Sequence, residues 1–186
     1  VAHVEAGLRS HDMRMPEEIN RLEVDSIADY HFVSEPDGII NLKNEKLYDE
    51  KKCFLAGNVV IDNLMNNMEN IKGKGQVTSL SLKPKNYALV TLHRPSNVDD
   101  RDLLEKILKT LSEFSKNISF VLPLHPRTKG RIAEFKLEKY LENIKVIEPQ
   151  GYFEFVNLLM NSKFIITDSG GAQEESMVLN IPCITM

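Results

Sequence analysis

The sequence is poor in several features that would each point to a particular class of protein. It has two cysteines, Cys53 and Cys183, far apart and each beside apolar residues, so we expect two buried thiols rather than a disulfide framework or a metal site. No apolar run approaches the roughly 20 residues of a membrane-spanning helix. The 23 basic and 27 acidic residues are spread along the chain, which argues against nucleic acid or an anionic membrane as a partner.

The chain nevertheless has the composition of a globular protein, since 42% of its residues are hydrophobic and can form a buried core. Its ends are unlike those of a complete protein. It begins at Val1 without a methionine and stops at Met186 directly after a strand-like segment. We therefore expect a fragment, in which part of any functional site is missing.

Short apolar runs alternate with amphipathic segments along most of the chain. Strands are predicted at 1–4, 30–34, 53–55, 87–92, 118–124, 144–147, 164–167 and 182–185. Helices are predicted at 16–29, 37–44, 59–68, 99–114, 128–141, 152–160 and 171–179. The polar stretch 71–86, which is rich in Gly, Pro, Lys and Ser, is predicted to be a linker.

This order of elements predicts an α/β protein with two Rossmann-like halves. Strands that are apolar throughout, separated by helices, are typical of a parallel sheet covered on both faces. The first half would be incomplete at its start and the second at its end. We expect residues 1–70 to be the last part of the first domain with a connecting helix, 71–86 the linker and 87–186 the second domain. A cleft would lie between them, at the carboxyl ends of the strands.

The segment 168–175, Asp-Ser-Gly-Gly-Ala-Gln-Glu-Glu, has the composition of an anion-binding turn. It follows an apolar strand and leads into a helix, whose first amides have no partner within the helix and whose dipole favours negative charge. Gly170 and Gly171 would let a phosphate approach the backbone, and Ser169 could donate its hydroxyl. The alternative is an ordinary turn in which Ser169 caps the helix.

Two further strand ends carry histidine and arginine. His93 and Arg94 follow one predicted strand, and His125 and Arg127 follow the next. Since the carboxyl ends of parallel strands meet at one edge of a sheet, these side chains are predicted to line a site for a polyphosphate. The alternative is a set of loop residues that bond to nearby carbonyl groups.

Carboxylates occupy similar positions in the first half. Glu5 lies between a strand and Gly7 and has no helix start to stabilise, so a functional role is favoured. Glu17 and Glu18 follow Pro16, and there helix-start chemistry is a sufficient explanation, with Glu17 and Arg21 spaced as an ion pair. From the residues alone, that structural explanation is favoured for Glu17 and Glu18.

Together these segments resemble the UDP-N-acetylglucosamine 2-epimerase family over the whole length of the chain. The resemblance rests on His-Val-Glu-Ala-Gly-Leu-Arg at 3–9, Pro-Glu-Glu-Ile-Asn-Arg at 16–21, Gly-Asn at 57–58 with Asp62, His-Arg at 93–94, His-Pro-Arg at 125–127 and the segment 168–175. It implies the two-domain GT-B-like fold, with a UDP-binding second domain. It also implies that a catalytic Asp lies before Val1.

The resemblance implies an isomerase that inverts C2 of UDP-N-acetylglucosamine by loss and re-addition of UDP, with neither a metal nor another cofactor. Glu5, Glu17 and His93 match the family's catalytic residues. The UDP contacts would be Arg94, His125, Ser169, Gly170, Gly171 and Glu175, with Glu175 on the ribose. The family resemblance also implies a cytoplasmic homodimer, of which this fragment alone would be inactive.

Several related functions remain open from the sequence. Pro95-Ser96-Asn97 stands where some members have Arg-Glu-Asn, so contacts made there by other members are in doubt. Relatives that hydrolyse UDP-N-acetylglucosamine, or that act on diacetamido sugar acids, share these motifs. A GT-B glycosyltransferase using a UDP-sugar, or a binding module without catalysis, is a further alternative.

Overall fold

The computed structural model describes all residues from Val1 to Met186, and they form two compact units. The first unit spans Val1–Asp62 and the second spans Asn63–Met186. Each unit contains a parallel sheet, as the alternation of strands and helices predicts. No helix in either unit has both the length and the apolar character needed to cross a bilayer.

The first unit is built on a three-stranded sheet with the order β1-β2-β3. Its elements are β1 (Ala2–Val4), α1 (Pro16–Ile27), β2 (Tyr30–Val33), α2 (Pro36–Asn44) and β3 (Cys53–Leu55). Both helices begin at a proline, whose fixed φ suits the first helical position. The apolar core is small and centres on Ala6, Val33, Leu42 and Cys53. Polar contacts therefore contribute much of the packing around it.

The second unit is built on a five-stranded parallel sheet with the order β6-β5-β4-β7-β8. Its strands are β4 (Tyr87–Thr91), β5 (Ser119–Pro123), β6 (Lys145–Ile147), β7 (Phe164–Thr167) and β8 (Cys183–Thr185). Its helices are α4 (Met68–Lys72), α5 (Gln76–Ser79), α6 (Pro95–Val98), α7 (Arg101–Phe114), α8 (Pro126–Phe135), α9 (Tyr152–Asn161) and α10 (Gly170–Val178). Helix α3 (Val59–Asn66) runs across the division between the units.

Both faces of the second sheet are covered by apolar side chains. Successive residues of a strand point to opposite faces, and in β4 Ala88 and Val90 belong to one cluster while Tyr87 and Leu89 belong to the other. Leucines of α7 pack into the first cluster, and leucines of α9 pack into the second. Full burial of such a side chain stabilises a fold by roughly 1.5–3 kcal/mol, so this double cover fixes the sheet.

The strand order creates a switch point beside β4. The chain proceeds from β4 outwards to β5 and β6, then returns to the other side of β4 for β7 and β8. In open α/β sheets, ligands bind outside the carboxyl ends of the strands at such a reversal. The residues that follow β4 and β7, including His93 and Ser169, therefore lie at the favoured edge.

The segment 71–86, predicted to be a linker, differs in the structure from a free polar stretch. It contains helix α5, and Val77, Leu80 and Leu82 pack against one face of the second sheet. The glycines and lysines dominated the prediction, whereas the apolar residues between them decide the packing. The compact units divide before this segment, between Asp62 and Asn63, while the domain boundaries at 70 and 87 stay a prediction.

Two smaller predictions are wrong. The single helix predicted at 128–141 is interrupted, because Lys136 adopts a left-handed conformation with φ 58° and a short 3-10 helix, Glu138–Leu141, follows. Cys183 is exposed rather than buried, since β8 is an edge strand of the sheet. Cys53 is buried as predicted, within the core of the first unit.

Candidate active site

Helix α10 begins at the switch point in a form suited to an anion. Ser169 caps the helix by accepting a hydrogen bond from the Ala172 amide at 3.4 Å, so the capping alternative is also realised. The serine proton remains free for donation to a ligand. Gly170 and Gly171 are exposed and their amides, in the first turn, have no partner within the helix. That turn contains no acidic residue, so its positive end is not neutralised from within.

The loop after β4 is held to the end of β7 by Asp168. Its carboxylate accepts hydrogen bonds from the amides of His93 and Arg94, the shortest of them at 2.8 Å, and from the side-chain amide of Asn97 at 3.2 Å. The His93 Nδ1 atom lies 2.8 Å from the same carboxylate. Sequence reasoning placed Asp168 in the turn but missed this role, because its partners are more than 70 positions away.

Asp168 is stabilised in its ionised form. Burial of its side chain alone would raise its pKa, but the hydrogen bonds from the amides of Arg94 and His93 and from Asn97 outweigh burial, and the pKa is lowered. Because Asp168 occupies Nδ1 of His93, Nε2 is the ring nitrogen available to a ligand. Asp168 thus orients a predicted catalytic histidine.

A pocket of about 160 Å³ opens beside this loop. Its lining consists of Thr91, Leu92, His93, Pro123, His125, Pro149, Gln150 and Phe155. The ring centroids of His93 and His125 lie 5.7 Å apart with their planes tilted by 47°, so two of the predicted ligand residues come together here. Phe155 was missed in the sequence, where it was one apolar residue of the helix predicted at 152–160. An aromatic wall opposite polar strand ends is suited to a planar heterocycle.

The two arginines predicted at this edge behave differently. Arg94 is exposed at the start of α6, and its guanidinium makes no ion pair within the chain. Arg127 instead pairs with Asp99, which also pairs with Arg131. Arg127 thus already has a carboxylate partner whereas Arg94 has none, and the expectation that both guanidiniums line the site stays a prediction.

Glu175 lies on α10 and is buried, with 6% of its surface exposed. The hydroxyl of Tyr152 lies beside its carboxylate. Burial raises the pKa of Glu175, and the Tyr152 bond offsets only part of that effect. Tyr152 was not singled out in the sequence, and the hydroxyl contact explains how a buried carboxylate is tolerated here.

In the first unit, Glu5 directly follows strand β1 and Glu17 is the second residue of helix α1. Glu5 is half-buried and has a left-handed backbone with φ 66°, which is uncommon for a residue other than glycine. Glu17 is exposed and makes no ion pair, whereas its neighbour Glu18 is buried and is the carboxylate near Arg21, at 3.9 Å. The predicted pairing of Glu17 with Arg21 is wrong, which leaves the Glu17 carboxylate available.

The structure therefore gathers His93, Arg94, His125, Ser169 and the two glycines at one edge of the second sheet, and places Glu5 and Glu17 in the first unit. The roles assigned to these residues remain predictions. The parallel sheets and the position of the α10 turn define a class, the Rossmann-like α/β proteins.

The comparisons with known proteins agree with that class and identify one family within it. The family model for UDP-N-acetylglucosamine 2-epimerase matches residues 1–186. The chain belongs to the UDP-N-acetylglucosamine 2-epimerase family. This membership confirms the resemblance drawn from the six sequence segments.

Individual relatives show how much of the family's length is represented. The chain is 40% identical to the UDP-N-acetylglucosamine 2-epimerase of Methanococcus maripaludis, with all of this chain and 53% of that protein covered. It is 42% identical to the UDP-2,3-diacetamido-2,3-dideoxy-D-glucuronate 2-epimerase of Pseudomonas aeruginosa, with coverage of 100% and 51%. The chain thus spans about half the length of the curated relatives it matches.

A solved structure supports the fold over the same extent. The Methanocaldococcus jannaschii UDP-GlcNAc 2-epimerase, in complex with UDP-GlcNAc and UDP, superposes with a TM-score of 0.87 at 41% identity. The match covers 100% of this chain and 52% of that one. The GT-B-like α/β fold is therefore shown for the residues present.

Proposed function

We propose that the whole protein is a non-hydrolysing UDP-N-acetylglucosamine 2-epimerase, which interconverts UDP-N-acetylglucosamine and UDP-N-acetylmannosamine. The observation that carries the proposal is the start of α10. This helix begins at the switch point of the second sheet, its first turn contains no acidic residue, and the chain belongs to this family. Such a helix end holds a diphosphate through amides and the helix dipole. The proposal assigns the second unit to UDP.

The proposed reaction needs a base and an acid. A carboxylate removes the C2 proton, the electron pair of the C2–H bond forms a C1–C2 double bond, and UDP leaves C1 with the electrons of the C1–O bond. Re-addition of the UDP oxygen to C1, with a proton delivered to the opposite face of C2, gives the epimer. No net oxidation or reduction occurs, so carboxylates alone can serve as the proton-transfer groups.

Glu5 and Glu17 are the proposed proton-transfer groups. Glu17 is exposed without an ion-pair partner, and Glu5 is only half-buried in an uncommon backbone conformation. Backbone strain of this kind concentrates at functional sites. Which carboxylate serves which face of the sugar is left open.

The departing UDP must keep its charge stabilised while it stays bound. The Gly170 and Gly171 amides, the Ser169 hydroxyl and the unpaired Arg94 guanidinium are the proposed diphosphate contacts. His93, oriented by Asp168, is the proposed catalytic histidine beside the leaving oxygen. We place the uracil in the pocket lined by His125 and Phe155, and the ribose against Glu175.

Deuterium exchange tests this proposal in the full-length protein. Incubation with UDP-N-acetylglucosamine in deuterated water should introduce label at C2 of both UDP-sugars. Label only in free N-acetylmannosamine would identify a hydrolase instead. Transfer of the sugar to an added acceptor without C2 label would identify a glycosyltransferase and contradict the proposal.

The Pseudomonas aeruginosa relative gives one alternative substrate specific support. A diacetamido sugar acid carries a carboxylate that N-acetylglucosamine lacks, and its epimerisation would use the same C2 chemistry. Competition between the two UDP-sugars in one reaction, measured as the ratio of kcat/KM values, decides between them. We expect the ratio to favour UDP-N-acetylglucosamine, and the opposite preference would reassign the substrate.

We also propose that the enzyme is a cytoplasmic homodimer. The support is family membership together with two unpaired thiols, which suit a reducing compartment. Sedimentation of the full-length protein at micromolar concentration should give twice the monomer mass. A monomer that retains full activity would contradict the dimer.

A further inference from the structure

Helix α1 packs against the rest of the first unit through carboxylates rather than through an apolar face. Its buried residues are Glu18 and Asp25, which lie about two turns apart and so share one side of the helix. Ile19 and Ile27 of the same helix are exposed. A buried carboxylate is costly unless it is paired and hydrogen-bonded, so the partners of these two groups explain why they are tolerated.

Asp25 holds the loop that follows β1. One carboxylate oxygen accepts hydrogen bonds from the Gly7 amide at 3.0 Å and from the Arg9 guanidinium at 2.7 Å. The other lies 2.6 Å from Nδ1 of His3. The Asp25 side chain is fully buried, and that of Arg9 is nearly so. Asp25 therefore contacts the chain on both sides of Glu5.

Glu18 holds the continuation of the same loop. One of its carboxylate oxygens accepts from the amide of Ser10 at 2.8 Å and from its hydroxyl at 3.0 Å, and the other accepts from the His11 amide at 2.9 Å. Burial would raise the pKa of Glu18, but these bonds and the nearby Arg9 charge lower it overall. The ionised carboxylate is thus the form that clamps the loop.

The clamped loop contains backbone conformations that are not favoured locally. Glu5 has φ 66° and His11 has φ 58°, both in the left-handed region. Gly7 has φ 79°, and a Cβ there would lie 2.3 Å from the Gly38 carbonyl oxygen. Conformations of this kind persist where surrounding contacts hold them, and the two carboxylates of α1 supply such contacts.

We propose that Asp25 and Glu18 are positioning residues that fix Glu5 relative to Glu17. Glu17 is carried by α1 itself, directly beside Glu18, and Glu5 lies on the loop that the two buried carboxylates hold. The helix and the loop therefore form one body that presents both acid–base groups. This inference rests on the proposed function, because it requires Glu5 and Glu17 to transfer protons.

The test uses Asp25→Asn and Glu18→Gln in the full-length enzyme. Glu18→Gln turns one carboxylate oxygen into a donor that faces a backbone amide, and Asp25→Asn removes the negative charge that pairs with the buried Arg9 guanidinium, so each change releases part of the loop. We expect kcat for C2 exchange to fall ten- to about 100-fold while KM and the Kd for UDP stay within about twofold, since small displacements of reacting groups have effects of that size. Glu23→Gln, an exposed position on the same helix, is the matched control and should leave all three values unchanged.

Activity is expressed per UDP-binding site, measured by calorimetric titration, so that unfolded protein does not count. If Asp25→Asn does not fold, Glu18→Gln decides the question alone, because it leaves every Asp25 contact in place. A kcat per site within twofold of wild type would overturn the inference. Absence of C2 exchange in the wild-type enzyme would instead contradict the proposed function, so the two failures are distinguishable.

Discussion

In the first unit the loop after β1 is held by carboxylates of α1, whereas in the second unit the loop after β4 is held by Asp168 at the end of the neighbouring strand. Asp25 and Asp168 are both buried. Each accepts a hydrogen bond from at least one backbone amide of a loop that follows a strand. Each also contacts the Nδ1 atom of a histidine, His3 or His93. The same local arrangement therefore occurs twice.

The helix starts of the two units differ in charge. The first turn of α1 contains Glu17 and Glu18, whereas the first turn of α10 contains two glycines and no acidic residue. A helix start with acids presents carboxylates to its surroundings, and one without them accepts an anion. The difference supports a division of work in which the first unit transfers protons and the second retains UDP.

The largest expected effect on stability comes from Asp168→Asn. The substitution replaces the ionised acceptor of the His93 and Arg94 amides with a neutral one. This should lower the free energy of unfolding by about 3 kcal/mol at neutral pH. Because the folded pKa of Asp168 is lowered, its contribution is present above the unfolded pKa of about 3.9 and is lost as the pH falls through the folded pKa. Denaturant titrations at neutral and acidic pH measure this.

Asp168→Asn also allows a comparison of the two carboxylates that hold loops, Asp168 and Asp25. UDP affinity should fall in Asp168→Asn, because the loop carrying Arg94 is released, and should be unchanged in Asp25→Asn. Asp99→Asn, which removes a partly exposed carboxylate from the Arg127 pair, is the control and should have a much smaller effect on stability. Equal loss of UDP affinity in the Asp25 and Asp168 variants would contradict the division of work.

An acidic residue placed in the first turn of α10 should give this helix start the negative charge that Glu17 and Glu18 give the start of α1. Gly171→Asp adds a negative charge where a Cβ meets no other atom, so the fold should tolerate it. We expect the Kd for UDP to rise roughly tenfold more than in Gly171→Asn, a neutral variant of the same size, which corresponds to about 1.4 kcal/mol. Calorimetry at low and high salt should show the difference shrinking with salt.

A smaller effect is expected for Glu175→Gln. Because burial raises the folded pKa of Glu175, its ionisation costs stability once the pH exceeds the unfolded pKa of about 4.3. Gln should therefore stabilise the chain at neutral pH, by up to about 1 kcal/mol, with no gain below that pKa. UDP affinity should fall at the same time. Higher stability with unchanged UDP affinity would remove Glu175 from the proposed ribose contact.

Most of the fold was predictable from local pattern. Apolar runs indicated the strands, and Pro16 and Ser169 marked helix starts that the structure places within a few residues. The break at Lys136 was not predictable, because no glycine or proline signals its left-handed backbone. The packing of 71–86 was missed because Val77, Leu80 and Leu82 are spaced among polar residues.

The candidate site was predictable as a set of residues but not as a network. Strand ends and a glycine turn identified His93, His125 and Ser169, since local sequence marks both features. Asp168 and Asp25 owe their roles to partners distant in the chain, and Arg127 pairs with Asp99, a contact of the same kind. Local pattern carries no information on such pairings.

The central claim, that carboxylates of the first unit transfer the C2 proton and the second unit retains UDP, is tested most directly by measuring C2 exchange and UDP affinity together in Glu17→Gln and Ser169→Ala of the full-length enzyme. Glu17→Gln should abolish exchange and leave the Kd for UDP unchanged. Ser169→Ala should weaken UDP binding, while exchange at saturating UDP-sugar persists. Equal loss of exchange and of UDP affinity in either variant would contradict the account.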